Sequence, residues 1–237
     1  MHLTVSRTTL VLALMSAAGC GPIAHIPVAG AHADVLPSTD SGAMLARTLA
    51  PVLYLQPDET FPLERVVAVL HPTKPVIAYH LLWRDDAHGA WLPHTIPTDE
   101  EVIWVGYDST QVPVDVWTYW HGHVLHARWP KQQVTIDVQW GKHGSIPRGA
   151  APSLPFLQSL RFFHFFTYAL PDYWLGNITR KGPWCFCHGF NRYTQFTRPL
   201  PLAPHLTAVV RTARPERVLV AVFGTSYSHK RLWPWSP

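Results

Sequence analysis

A succession of short runs rich in β-branched and aromatic residues, each bounded by turn-forming residues, constrains this chain more than any other feature. The runs cover residues 52–55, 66–70, 76–83, 101–107, 114–120 and 134–140. Runs of this length bounded by turn signals read as strands. Residues 206–212 and 217–223 add two more, with residues 213–216 and Pro215 forming a hairpin connection that closes the sheet. The expected fold class is therefore mainly β, an antiparallel β-sandwich with one or two inserted helices. Residues 154–170 supply the inserted helix, since that aromatic run shows no alternation and stops at Pro171. Composition agrees with this picture. Charged residues make up 14% of the chain against 23 prolines and 11 tryptophans, which leaves little material for solvated helices laced with ion pairs. With 237 residues, 47% of them hydrophobic, the chain can bury one sizeable core. No fixed-period repeat and no phosphate-cradling glycine loop is visible.

Charge excludes one class of partner. The net charge of +4, from 19 basic and 15 acidic residues, is mild. The basic residues are scattered apart from Arg180-Lys181 and Lys230-Arg231, which argues against nucleic-acid binding.

The first residues set the compartment. Arg7 precedes an apolar stretch over residues 10–18, which is too short for a mature transmembrane helix but has the length of a signal-peptide core. Ala17-Ala18-Gly19-Cys20 follows and resembles the lipobox of bacterial lipoproteins. That resemblance implies cleavage before Cys20, a lipid on its thiol, and a membrane partner reached through the anchor. The implied location is the cell envelope, and Gly21 after the cysteine favours the outer membrane where there is one. Ala31-His32-Ala33 is the competing cleavage site and would give a secreted protein instead. The expected organisation is a signal peptide over 1–19, a tether over 20–47 rich in Ala, Pro, Gly and Ser, and a β-sandwich domain over 48–237. Two further cysteines, Cys185 and Cys187, alternate onto one strand face ahead of His188. They could form a strained disulfide or take part in metal binding.

Placement singles out two of the 15 histidines. His121 and His143 each end a predicted strand and precede a glycine, which lets backbone and ligand approach closely. Glu100 and Glu101 open the run that continues Val102-Ile103-Trp104, and strand alternation sends them to opposite faces. One carboxylate with two imidazoles suits a divalent cation, so Glu100, His121 and His143 are the candidate metal ligands. The plainer reading of the same residues is that polar side chains mark strand ends.

Residues 50–59, with Phe61-Pro62, resemble the opening of the vacuolar-protein-sorting-related family, which shares its pattern with the necrosis- and ethylene-inducing-peptide-like proteins. Residues 80–86, beginning at His80, resemble the strand leading to that family's acidic motif, and residues 97–104 resemble the motif itself. Trp120-His121-Gly122 and Lys142-His143-Gly144-Ser145 resemble its two histidine motifs. The resemblance runs in order over residues 50–147 and implies a β-sandwich with a divalent-metal site and, for some members, binding of sphingolipid headgroups. Glu100 takes the place of the motif's Glu, while Pro97, Thr98 and Asp99 stand where the family has His (or Gly), Asp and Trp. His94, a few residues upstream, is a candidate replacement for the missing histidine.

The leading functional expectation is a lipid-anchored envelope protein that binds a glycan or polar lipid headgroup. Its cleft would be lined by Glu100, His121, His143 and His80, with room for a divalent metal ion. A second expectation is a hydrolase of esters or phosphoesters in which Glu100 or a histidine activates water. No Gly-x-Ser-x-Gly nucleophile motif is present. A third is a structural envelope component, with Leu232-Trp233-Pro234-Trp235 either docking to a partner or packing at the edge of the core.

Overall fold

A computed structural model describes residues 35–57, 59, 61–84, 99–120, 123–139, 141, 143–149 and 196–236. Cys20, the apolar stretch 10–18, His94, His121, the run 154–170 and Cys185-Phe186-Cys187-His188 lie outside them.

The described residues build two facing sheets. The larger has six strands in the order β10-β2-β3-β4-β5-β6: β2 is Leu63–Leu70, β3 Val76–Trp83, β4 Asp99–Tyr107, β5 Pro113–Trp120, β6 His123–Arg128 and β10 Leu206–Arg211. The smaller has four, in the order β8-β7-β1-β9, with β1 Val52–Leu55, β7 Thr135–Val138, β8 Ser145–Pro147 and β9 Arg198–Pro201. The expected sandwich is present, with two departures from pure antiparallel pairing, because β1 runs parallel to β7 and β10 parallel to β2. The two edges of the smaller sheet carry Pro147 on β8 and Pro199 and Pro201 on β9. Proline offers no amide to an incoming strand, so these edges resist further pairing.

The central strands are apolar on both faces because both are covered. Odd-numbered residues of β3 and β4, including Tyr79, Leu81, Trp83, Ile103 and Val105, pack with Leu53, Ile136 and Val138 of the smaller sheet. Even-numbered residues, including Ala78, Leu82, Val102 and Trp104, pack against Val218, Leu219, Phe223 and Trp233 from the C-terminal part of the chain. Every residue of β3 is buried in consequence.

Two expectations require correction. Residues 217–223 form no strand; Glu216–Phe223 is a helix, α2. Pro215 pre-sets the backbone at its N-cap and Glu216 complements the helix dipole in its first turn, while Val218, Leu219 and Phe223 meet the even face of the larger sheet. Val-Leu-Val-Ala-Val-Phe lacks the alternation of a half-buried strand, and its β-branched content suits a buried helix as well as a buried strand. The folded body also begins well before residue 48. Val35 bridges to Val210, and Ser41–Thr48 forms helix α1, capped by the Asp40 carboxylate accepting from the amides of Gly42 (2.7 Å) and Ala43 (3.3 Å). Ala43 and Ala46 share one side of α1 and are buried in the main core, where the Tyr79 hydroxyl donates to the Ala46 carbonyl at 2.8 Å. Small residues that resemble a linker here let a helix sit close against a sheet.

Candidate functional site

The chemistry collects at the end of the larger sheet where β3 stops and β4 starts. Register pairs Trp83 with Asp99, Leu82 with Glu100 and Leu81 with Glu101. Alternation then separates three consecutive acids: Asp99 and Glu101 share the inner, odd face, while Glu100 faces the C-terminal segment.

His143 is the hub of the inner face. It lies in the loop from β7 to β8, whose ends are tied by Gln139 N–H donating to the Gly144 carbonyl at 2.9 Å. Its own amide donates to the Gln139 carbonyl, and its φ of +50° is left-handed, a conformation that costs a non-glycine residue about 1–3 kcal/mol unless its surroundings hold it. The surroundings do. The fully buried imidazole donates from Nδ1 to Asp99 Oδ2 at 2.6 Å, and its Nε2 lies 3.6 Å from Glu59 Oε1. It stacks on Trp83 with ring centroids 4.1 Å apart and planes 5° from parallel, while Phe61 meets it edge-on. Gly144 completes the close fit: a Cβ there would come within 2.9 Å of the Trp120 ring.

The electrostatics follow from this packing. Burial pushes the His143 pKa down, but the charge of Glu59 and the hydrogen bond to Asp99 overcome it and raise the pKa to about 9, so the ring is an imidazolium at neutral pH. Burial would raise Glu59, yet His143 and the amides of Phe61 (2.9 Å) and Gly141 (2.7 Å) hold it below the ordinary carboxylate value. Glu101 behaves differently. Burial pushes its pKa up to about 8; Lys230, 2.7 Å from Oε1, opposes the rise and the charge of Asp99 adds to it. Its Oε2 is buried and has no hydrogen-bond partner among the described residues.

On the other face, Glu100 is fully engaged. Oε1 accepts from His80 Nδ1 at 3.1 Å, and Oε2 accepts from the Ser228 amide at 2.7 Å and hydroxyl at 2.9 Å. Burial alone would raise its pKa, but these donors lower it.

Of the residues expected from sequence, His80 and Glu100 meet, and His143 finds different acids. Glu100 and His143 do not share a ligand set, because they stand on opposite faces of β4, and His121 lies outside the described residues. The acids that do reach the His143 side are Asp99, Glu101 and Glu59, none of them among the expected ligands, together with Lys230. The Asp-x-Glu spacing at the start of a strand was the available signal for the first two. Glu59 and Lys230 carry no local signal, because they arrive from a turn and from the C-terminal segment.

A divalent ion does not fit the described residues as they stand. No group of three His, Cys, Asp or Glu side chains among them is arranged to hold a metal. Both nitrogens of His143 face carboxylates, Glu100 has spent both oxygens, and an ammonium already sits on Glu101.

No family model matches the chain, and no curated protein matches it. Similar solved structures include a protein described as "NLPPya in complex with glucosamine", at 14% identity, covering 48% of this chain and 69% of that one, with a TM-score of 0.34. The same protein in complex with mannosamine gives 13%, 48%, 70% and 0.34. A structure described as "Toxin fold for microbial attack and plant defense" gives 14%, 44%, 64% and 0.32. These are toxin folds of the necrosis- and ethylene-inducing-peptide-like kind. The likeness is one of fold alone, and what those proteins bind is said of them.

Proposed function

We propose that this chain is an exported envelope protein, held at a membrane by a lipid on Cys20, that binds a glycan or polar lipid headgroup at the acidic centre of Glu59, Asp99 and Glu101. The observation that carries the binding reading is the buried Glu101 oxygen that no described residue hydrogen-bonds. Ligands rich in hydroxyl or ammonium groups supply such donors. Asp99, whose side chain is 13% exposed, is the acid of this centre that a ligand would meet first. The anchor reading rests on the apolar stretch 10–18 followed by Ala17-Ala18-Gly19-Cys20.

Hydrolysis draws no comparable support. A general base must reach its substrate, whereas His143 is enclosed, with both ring nitrogens turned to acids.

Full-length protein is expected to bind a subset of an array of glycans and of vesicles bearing single headgroup types, and Asp99→Asn with Glu101→Gln is expected to abolish that binding at a temperature where the variant, destabilised by loss of the Asp99–His143 ion pair, is still folded. Binding that survives the double substitution would place the ligand elsewhere, and an array without any binder would remove the reading. For the anchor, mass analysis of the exported protein should find acyl groups on an amino-terminal Cys20. A mature terminus at residue 34, without lipid, would show simple secretion.

A further inference from the structure

The large hydrophobic residues that stand exposed among the described ones are Val35, Met44, Val112 and Trp235. All of them lie at the end of the larger sheet opposite the acidic centre. Val35 bridges to Val210, next to the last residue of β10. Met44 is in the first turn of α1, which packs beside Leu70 at the end of β2. Val112 belongs to the turn from β4 to β5, where the Tyr107 amide donates to the Pro75 carbonyl of the turn from β2 to β3. Trp235 lies against His71 of that second turn, with ring centroids 5.8 Å apart. Exposed apolar side chains scattered singly are ordinary, whereas a collection at one end marks an interaction surface.

The same end is basic. Lys74, Arg211, Arg214, Arg217 and Arg231 are exposed there and outnumber the acids Asp40, Asp108 and Glu216. Asp40 lies 3.5 Å from Arg211, and Asp108 accepts from the Thr110 hydroxyl and from the amides of Thr110 and Val112. Lys74 and Trp235 are held together at the centre. His71 Nδ1 accepts from the amides of Thr73 (3.2 Å) and Lys74 (3.0 Å), and the Lys74 Nζ stands 3.8 Å from the centre of the Trp235 ring. Trp233 stays in the core and donates from Nε1 to the Ala213 carbonyl at 2.9 Å. Trp235 stacks on it, 5.8 Å away and 4° from parallel, and is itself 45% exposed. An indole beside an ammonium suits the boundary between bilayer and water, with the ring among the headgroups and the charge against anionic phosphate.

We infer that this end of the larger sheet is a docking surface for an anionic lipid bilayer, with Trp235 and Lys74 at its centre. The segment that carries Cys20 joins the folded body at this end, through Val35, so a lipid on Cys20 and this surface would engage one membrane. The eight residues of β3, about 23 Å of extended chain, then hold Glu59, Asp99 and Glu101 away from it. The contact itself needs no lipid; only the orientation rests on the lipid-anchor and acidic-centre readings.

The probes are vesicles of phosphatidylcholine alone and of phosphatidylcholine mixed with phosphatidylglycerol, added to the full chain carrying Cys20→Ser so that no acyl group contributes. Hydrogen exchange read by mass spectrometry should slow over residues 71–75, 108–112 and 231–236 with the mixed vesicles relative to the neutral ones. Residues 224–229, beside Glu100 at the other end, should not change. Lys74→Glu, which reverses one charge, should weaken binding to the mixed vesicles about thirtyfold. Trp235→Ser should weaken it further, and because both side chains are exposed neither variant should lower Tm appreciably. Arg84→Glu makes the same charge change at the far end of β3, beyond the reach of screened electrostatics, and should leave binding within about twofold. Protection at 224–229 in place of the three segments, no protection at all, or equal weakening by Lys74→Glu and Arg84→Glu would overturn the inference. Protection that needs no vesicles and grows with protein concentration would assign the surface to a second copy of the chain and overturn it as well. None of these outcomes depends on acylation of Cys20 or on a ligand at the acidic centre, so either of those readings can fail by itself.

Discussion

The two faces of β4 carry neighbouring glutamates in opposite states. Glu100 and Glu101 are nearly equally buried, at 1% and 6% exposure. On the C-terminal face Glu100 accepts from His80 and from both the amide and hydroxyl of Ser228, and its pKa is held low. On the inner face Glu101 has one ammonium, one bare oxygen and the acid Asp99 on its own side, and its pKa is driven to about 8. Burial is therefore not what separates them. The number of donors aimed at the carboxylate is, because a desolvated charge survives only where hydrogen bonds replace the lost water. A face whose donors are complete is a structural joint, and a face that lacks donors is where a ligand would find something to do.

The most severe way to break the inner face is to remove its hub. His143→Ala leaves Asp99 and Glu59 buried without their shared cation, and loss of one member of a buried pair costs about 3–5 kcal/mol. Thermal unfolding should show a drop of roughly 10 °C or more at this chain length.

Proton linkage gives the next largest effect. His143 holds its proton more tightly when folded, near pKa 9 against 6.5, so its contribution is whole below pH 6.5 and lost as pH rises through 9. Glu101, near 8 against 4.5, and Asp137, near 6 against 3.8, lose theirs over the same upward direction. Glu59 and Glu100, held low, act in reverse and are lost as pH falls below their ordinary range. Denaturant titrations should therefore find maximum stability in mild acid and a loss on the order of 3 kcal/mol between about pH 6.5 and 9 from His143 alone.

Direct comparison of the two glutamates gives the smaller effects. Glu100→Gln removes the charge that three donors surround and should cost about 2 kcal/mol at neutral pH. Glu101→Gln mimics a carboxyl that is already largely protonated and should cost less than about 1 kcal/mol in the same chemical denaturation. Equal costs would erase the distinction between the faces.

Much of the sandwich was legible because strand periodicity is a local property. Val52–Leu55 and Val76–Trp83 form strands with the expected bounds, and β4 and β5 begin within two residues of theirs. What escaped was decided by tertiary packing. An unbroken apolar run such as Val-Leu-Val-Ala-Val-Phe suits a buried strand or a helix equally, and the sheet face it covers settles the matter. Strands β8 and β9, short and rich in proline, exist only because β7 and β1 offer them edges. The site was half legible in the same sense. Alternation correctly divided Glu100 from Glu101, yet no local pattern could say that His143 would take its partners from a turn near Glu59 and from Asp99, while the C-terminal segment met both faces through Ser228 and Lys230.

The most direct test is a pH titration of glutamate side chains by NMR, using protein labelled with ¹³C at the Glu carboxyl carbons, on wild type and Glu101→Gln. One carboxyl should titrate near pH 8 and vanish in the variant, while Glu100, assigned through Glu100→Gln, titrates below the ordinary value of 4.5. A spectrum in which every glutamate titrates at or below that value, or in which the high-pH carboxyl persists in Glu101→Gln, would contradict the contrast between the two faces.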